Sequence, residues 1–208
     1  MVCYLKGTPA TGLFFPCSTS FCLKAYSDAD WASCVDSRKF ISGFCIFLGD
    51  ALISWKTKKQ AIVSRSSVEA KYQSRGGTLC KLLWISYIPR DFGVPLQTPV
   101  PMFCDNKAVL HITANHVFHE IRKHLDIDCH IVCDQYKLGF VDHSFVRGKD
   151  QIANILTKSL SAPFLHLLSK LALFSLAPSP SCGGSVGLMH AQLGGGAAAV
   201  AQFHLDAG

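Results

Sequence analysis

The sequence has no apolar run long enough to cross a membrane. Among its 208 residues the longest such stretch, 164–176, contains His166 and Lys170, and it is shorter than the roughly 18 residues that a membrane helix requires. The first six residues also lack the basic start and apolar segment of a secretory signal. We therefore expect an intracellular protein, cytoplasmic or nuclear, that has no membrane partner.

Patterns for several common binding sites are missing as well. No glycine-rich loop joins a strand to a helix, so a nucleotide phosphate loop is not expected. The His and Cys residues within 119–133 lack a second pair at zinc-finger spacing. The ten cysteines are too sparse for a secreted disulfide scaffold of this length. We expect them to be reduced and to bind no metal.

Charged residues are scarce at both ends of the chain. They make up 16% of the sequence against 49% apolar residues, which excludes disorder throughout. Residues 22–160 hold 18 of the 20 basic and 13 of the 14 acidic residues, so the folded domain is predicted there. Residues 1–21 carry a single charge, Lys6, and are predicted to precede that domain. Residues 161–208 are predicted to be a tail that is mostly disordered after 177, where glycine and alanine dominate.

Hydrophobic periodicity within 22–160 predicts a mixed α/β domain. Three strands come first, at 23–28, 44–48 and 52–55, with Lys56, Lys58 and Lys59 in a polar loop after them. The remaining elements are a helix from 66, a strand at 100–104, helices at 106–114 and 119–136, a strand at 140–146 and a helix opening at 150. The order β-β-β-α-β-α-α-β-α predicts a five-stranded mixed sheet, built from a meander followed by crossovers, with flanking helices.

The first long helix has a clear start and a weak interior. Ser66 and Glu69 have the spacing of a capping box, and Pro89 closes the helix. Gly76 and Gly77 fall inside it, at a cost of roughly 2 kcal/mol relative to alanine.

Two carboxylates follow predicted strands, which is where α/β sheets gather ligands. Asp28 ends the first strand and Asp105 ends the fourth, just before a helix. Two carboxylates in one crevice could bind a hard divalent cation. Alternatively, each carboxylate simply caps a turn or a helix start.

Four ordered motifs point to a family. They are Tyr26-Ser27-Asp28-Ala29-Asp30-Trp31-Ala32, Ser64-Arg65-Ser66-Ser67-Val68-Glu69-Ala70, Cys104-Asp105-Asn106-Lys107-Ala108 and His119-Glu120-Ile121-Arg122-Lys123-His124. Together they closely resemble the ribonuclease H domain of copia-type retrotransposon Pol polyproteins. Residues 4–8 resemble the end of the reverse transcriptase that precedes this domain, which implies that residues 1–21 are a remnant of that connection. Residues 156–158 resemble the end of the domain itself.

The resemblance implies a five-stranded mixed sheet and Mg²⁺-dependent hydrolysis of the RNA strand of RNA–DNA hybrids. In that family four carboxylates hold two Mg²⁺ ions, one activating the attacking water and the other stabilising the leaving oxygen. Asp28 matches the first of these acids and Asp105 the third. The resemblance also implies that the domain was originally joined to reverse transcriptase in one polyprotein.

The other two acid positions depart from the family pattern. Lys71 stands where the family's second metal-binding glutamate is expected, and Asn154 stands where the family has aspartate. Glu69 remains as a catalytic candidate, although the capping box accounts for it without a metal. Asp150, one turn before Asn154, is a weaker substitute. We therefore expect an endonuclease site whose cleavage of hybrids is lost or severely reduced.

Substrate binding could outlast catalysis. Two basic groups are candidates for phosphate contacts: Lys56, Lys58, Lys59 and Arg65 form the first, and Arg122 and Lys123 the second. Alternatively, these are ordinary solvated charges. The sequence thus predicts an impaired ribonuclease H domain or, as the alternative, a non-catalytic remnant that binds RNA–DNA hybrid or other nucleic acid.

Overall fold

The structure is a computed structural model that describes residues 11–16, 20–34, 36–114, 126–158, 173–175 and 199–201. The strands, in chain order, are β1 Thr11–Phe15, β2 Leu23–Asp30, β3 Ile41–Leu48, β4 Ala51–Lys59, β5 Val100–Cys104, β6 Val141–Phe145, β7 Leu173–Ser175 and β8 Ala199–Ala201. The helices are α1 Ser67–Asp91, α2 Lys107–Ala114, α3 Asp126–Lys137 and α4 Asn154–Thr157.

The central sheet has five strands in the order β4-β3-β2-β5-β6. Strands β2, β3 and β4 form an antiparallel meander, while β5 runs parallel to β2 and β6 runs parallel to β5. Because β5 runs parallel to its neighbour β2, the chain must cross over the sheet before β5 begins. Helix α1 lies in that connection, between β4 and β5 along the chain. The predicted five-stranded mixed sheet with flanking helices is confirmed.

Helix α1 begins where the capping pattern predicts. The Glu69 backbone N–H donates to Ser66 Oγ at 3.2 Å, and the Glu69 carboxylate accepts from the Arg65 backbone N–H at 2.8 Å. The helix continues two residues beyond Pro89 to Asp91, so the proline lies in its last turn rather than ending it. Burial of Leu79, Leu82 and Ile85 against the sheet outweighs the backbone hydrogen bond that proline forgoes.

Strand β4 is longer than the sequence pattern indicated. The predicted polar loop with Lys56, Lys58 and Lys59 is instead the exposed half of this strand, in register with β3. Lysines suit this position because β4 is an edge of the sheet, where exposed charge discourages pairing with other chains.

The end of the domain also differs from the prediction. Asp150 closes a short 3-10 turn, Gly148–Asp150, and the final helix α4 begins at Asn154. This helix packs directly on β3 at Gly43, where a Cβ atom would lie 2.8 Å from Leu156 Cβ and 2.9 Å from Thr157 Cγ2. Only glycine permits that approach.

A second, three-stranded sheet has the order β7-β1-β8. Its Leu13 is buried in a cluster with Cys45, Phe47 and Leu52 of the central sheet. Strand β8 lies in the segment after residue 177 that was predicted to be disordered, and the other residues of that segment are outside the described ones. The domain boundaries 1–21, 22–160 and 161–208 stay predictions. No helix in the described ranges is long and apolar enough to span a bilayer.

Candidate active site

Asp28 is the buried centre of the site. It lies near the carboxyl end of the central strand β2 and is 0% exposed. Thr157 Oγ1 donates to Asp28 Oδ2 at 2.5 Å, and Ser74 Oγ donates to the Asp28 backbone carbonyl at 2.8 Å. Helices α1 and α4 therefore hold this residue from two sides.

Asp105 joins Asp28 because of the parallel pairing of β2 and β5. It directly follows β5, and the carboxyl ends of parallel strands meet at one edge of a sheet. The sequence-based expectation that Asp28 and Asp105 share a crevice agrees with this geometry. Gly148 borders the crevice, since a Cβ atom there would lie 3.8 Å from Asp105 Oδ2.

Lys71 connects the two carboxylates. Its Nζ donates to Asp28 Oδ1 at 2.7 Å and also to Asp105 Oδ1, and its side chain is only 13% exposed. Lys71 lies one turn into α1, so the capped helix start aims its ammonium at the sheet edge. One cation thus lies against both acids.

The electrostatics of this cluster favour its charged form. Burial alone would raise the pKa of Asp28, but the ammonium groups of Lys71 and Lys158, with hydrogen bonds from Lys71 and Thr157, hold it below its usual value. Burial alone would lower the pKa of Lys71, and the two carboxylates raise it instead. Both partners therefore remain ionised at neutral pH.

Asn154 serves as a hydrogen-bonding residue beside the acids. Its Nδ2 donates to the Gly148 carbonyl at 2.7 Å, and its Oδ1 accepts from Lys158 Nζ at 2.6 Å. The same Lys158 Nζ lies 3.8 Å from Asp28 Oδ2. A second ammonium thus approaches the acids at the position where the family resemblance implies a carboxylate.

These residues do not fit a pair of Mg²⁺ ions. Within the described part of the chain, no three His, Cys, Asp or Glu side chains come together as a metal site. Mg²⁺ is held by carboxylate oxygens, and here the oxygens of Asp28 and Asp105 that face each other already bind an ammonium.

The two candidate substitute acids, Glu69 and Asp150, have surroundings of their own. The Glu69 carboxylate caps α1 through the Arg65 N–H, and its catalytic role stays a prediction. Asp150 lies near Tyr26, where burial, then Cys45, then Asp150 raise the pKa of the tyrosine hydroxyl.

Asp30 is a further carboxylate at this strand end, and it was not among the predicted site residues. It ends β2 and shares a face with Asp28, two residues earlier. Burial raises its pKa, while Lys158 lowers it and Asp28 raises it further. The strand alternation Asp28–Asp30 was the available signal.

A basic groove of about 310 Å³ lies beside the acids, between the β3–β4 hairpin and α1. It contains two of the predicted nucleic-acid-binding residues, Lys56 and Lys58, which alternate onto one face of β4. The other lining residues are Ser42, Phe44, Gln60, Ile62, Gln73, Ser74 and Gly77. Ser74 also bonds the Asp28 backbone, so groove and acids adjoin.

Of the other predicted phosphate contacts, Lys59 and Arg65 are not among the residues that line the groove. Lys59 Nζ contacts Cys34 Sγ at 3.0 Å, and Arg65 is exposed at the start of α1. Arg122 and Lys123 lie outside the described residues. The groove therefore contains two members of the first predicted basic group, Lys56 and Lys58.

The chain is similar to segments of much longer transposon proteins. It is 39% identical over 182 residues to the retrovirus-related Pol polyprotein from transposon RE2 of Arabidopsis thaliana, covering 87% of this chain and 12% of that protein. The corresponding protein from transposon RE1 is 39% identical over 85% of the chain, and that from transposon TNT 1-94 of Nicotiana tabacum is 32% identical over 74%.

The chain thus spans about 12% of the length of these curated relatives. The resemblance to copia-type Pol polyproteins is confirmed, since the homologues are of that kind. No protein-family model matches the chain. A solved structure, the N-terminal RNase H domain of rv2228c from Mycobacterium tuberculosis fused to maltose-binding protein, aligns with a TM-score of 0.49 and 11% identity, over 72% of this chain and 98% of that one.

Proposed function

We propose that this chain is a ribonuclease H domain from a retrotransposon Pol polyprotein that no longer cleaves RNA–DNA hybrids at an appreciable rate. The observation that carries the proposal is the contact of the Lys71 ammonium with both Asp28 and Asp105. The similarity to transposon Pol polyproteins supports the family expectation of Mg²⁺-dependent hydrolysis.

The loss follows from charge. When bound, Mg²⁺ would supply Lewis-acid activation of a water molecule and stabilisation of the leaving oxygen. Asp28 and Asp105 are the residues of this chain that match metal ligands, and two carboxylates compensate a pair of divalent ions poorly. Here Lys71 and Lys158 add positive charge beside them, so a metal ion would have to displace an ammonium tethered to the fold.

The test is cleavage of an end-labelled RNA–DNA hybrid in Mg²⁺ and in Mn²⁺. We expect the wild-type chain to cleave no faster than the Asp28→Asn variant, which lacks the central acid. Metal-dependent cleavage by the wild type that disappears in Asp28→Asn would overturn the proposal.

A gain-of-function variant sharpens the same assay. Lys71→Glu combined with Asn154→Asp replaces one cation and one amide by carboxylates, at the two positions where the sequence departs from the family pattern. We expect cleavage to appear in the double variant and to stay at background in Lys71→Gln, which removes the ammonium without adding a ligand.

The alternative function, binding of nucleic acid without cleavage, is favoured by the basic groove. Lys56 and Lys58 are exposed on one face of β4, next to the polar side chains of Gln60 and Gln73. Lysines on such a surface contact phosphates through charge, independently of base sequence. A hybrid would also offer the 2′-hydroxyl groups of its RNA strand to polar side chains in the groove.

Binding is tested by titrating a fluorescent hybrid at several salt concentrations. We expect affinity to fall with salt, and the slope of log K against log salt to shrink by about 2 when Lys56→Gln and Lys58→Gln are combined. The matched control, Lys137→Gln with Arg90→Gln, removes two charges elsewhere and should leave the slope unchanged. Equal effects of the two pairs would contradict a role for the groove.

A further inference from the structure

The Asp28–Lys71–Asp105 cluster joins parts of the chain that are far apart in sequence. Lys71 is 43 residues from Asp28 and 34 from Asp105. Thr157, at the end of α4, bonds Asp28 across 129 residues. One hydrogen-bonded cluster therefore ties together two parallel strands, the long helix and the terminal helix.

The cluster is buried enough for its charges to matter to folding. Asp28 is inaccessible to solvent, and the side chains of Lys71 and Asp105 are each 13% exposed. Breaking a buried ion pair by removing one partner is strongly destabilising, because the other charge is left uncompensated. Removal of Lys71 would leave two facing carboxylates in the crevice.

We propose that Lys71 has converted the acid pair into a metal-free structural centre, in which its ammonium is the covalently tethered cation that holds β2, β5 and α1 together. The inference rests on the proposed function in one respect, since both take the Lys71 contacts as the native state of the site. It goes further by assigning the acids a present role in folding.

A tethered cation differs from a bound metal in its response to solution conditions. A metal that binds only the folded state adds stability in proportion to its concentration relative to its dissociation constant. An ammonium on the same chain is present whenever the chain folds. The wild-type domain should therefore be equally stable in a chelator and in excess Mg²⁺.

The experiment is urea unfolding of the full chain, followed by circular dichroism in 1 mM EDTA and in 10 mM MgCl₂. The variants are Lys71→Met, the triple variant Lys71→Met/Asp28→Asn/Asp105→Asn, and the control Lys81→Met. Lys81 lies on the same helix, with its ammonium 3.9 Å from the Trp84 ring centre. Hybrid cleavage is measured on the same preparations.

We expect the unfolding equilibrium constant of Lys71→Met to rise at least about 100-fold, and that of Lys81→Met to change less than about fivefold. The triple variant should recover most of the loss, because its neutral amides no longer repel each other. If Lys71→Met does not fold, folding of the triple variant still tests whether the two uncompensated carboxylates are the cause. Wild-type stability should not respond to Mg²⁺.

Two results would overturn the structural role. One is a Lys71→Met variant as stable as the wild type, and the other is a wild-type chain that Mg²⁺ stabilises. If Lys71→Met is as stable as the wild type and the wild type does not cleave the hybrid, the structural role of Lys71 is refuted and the proposed function stands. If the wild type cleaves the hybrid and also loses stability on removal of Lys71, the proposed function is refuted and the structural role stands.

Discussion

Helix α1 carries two cations one turn apart, the partly buried Lys71 and the buried Arg75, and the two have opposite surroundings. Lys71 directs its ammonium to the sheet edge, where two carboxylates accept it. Arg75 is 0% exposed and points into the domain, where its Nη2 contacts His143 Nδ1. Its Nε and Nη1 make no hydrogen bond within the described residues.

The titration behaviour of the two cations reflects this difference. Carboxylates raise the pKa of Lys71 despite its burial. Burial lowers the pKa of Arg75, while the charge of Cys104, a hydrogen bond with the Cys104 side chain and the charge of Tyr72 oppose that shift only in part. Burial and then the Arg75 charge lower the pKa of His143 to about 3, so the imidazole is neutral and accepts at Nδ1. Burial alone therefore does not decide the direction in which the pKa of a cation on this helix shifts; an anionic partner does.

The largest effect that would sharpen this comparison is expected at Arg75. Arg75→Met replaces an incompletely bonded guanidinium by an apolar chain of similar length, and we expect the free energy of unfolding to increase by about 2–4 kcal/mol. Urea denaturation at pH 7.5 measures the change. Lys71→Met, at the paired position, should shift stability in the opposite direction. Destabilisation by both substitutions would mean that Arg75 has a partner equivalent to the carboxylates.

A smaller effect is expected from acid. His143 has an ordinary pKa of 6.5 when unfolded and about 3 when folded, so between these values the unfolded chain binds a proton that the folded chain excludes. Stability should therefore be full above pH 6.5 and fall as the pH is lowered, by about 2 kcal/mol between pH 6.5 and pH 5. Urea midpoints measured across that range test the slope.

Two variants separate His143 from other titrating groups. His143→Phe keeps the aromatic contact with Tyr136, whose ring stacks on the imidazole at 4.8 Å, and it should flatten the acid slope. Arg75→Met should flatten it in part, because the guanidinium contributes to the low pKa of His143. A slope unchanged in His143→Phe would assign the acid sensitivity to other groups.

The sequence predicted those parts of the molecule whose signals are local. The order of strands and helices along the chain and the capping of α1 by Ser66 and Glu69 followed from periodicity and spacing. The crevice shared by Asp28 and Asp105 followed from strand ends. The family resemblance identified Lys71 as the residue placed where an anion is expected.

The rest depends on contacts between distant segments. Thr157 was noted only within the motif that ends the domain, although its hydroxyl reaches Asp28 across 129 residues. Gly43 lies opposite Asp28 in the β2–β3 register, and its lack of a side chain lets α4 approach. Nothing in the sequence around Gly43 indicates that role. Arg75 did have a local signal, since Tyr72, Arg75 and Leu79 have the spacing of one buried helix face.

Lys59 is a third cation, and it lies at the surface of the domain. Its substitution is expected to change stability less than the substitutions of Lys71 and Arg75. Its ammonium lies 3.0 Å from Cys34 Sγ, and hydrogen bonds from Lys59 and Ser37 lower the pKa of Cys34 to about 6. The thiolate is the reactive form, so alkylation of Cys34 by iodoacetamide should reach half its maximal rate near pH 6.

Lys59→Met should slow labelling at pH 7 by about fivefold or more. Peptide-resolved mass spectrometry gives the rate, with exposed Cys80 as the internal reference. The neighbouring substitution Lys58→Met faces the groove and should leave Cys34 unchanged; if it slows labelling equally, general surface charge rather than the Lys59 contact activates the thiol.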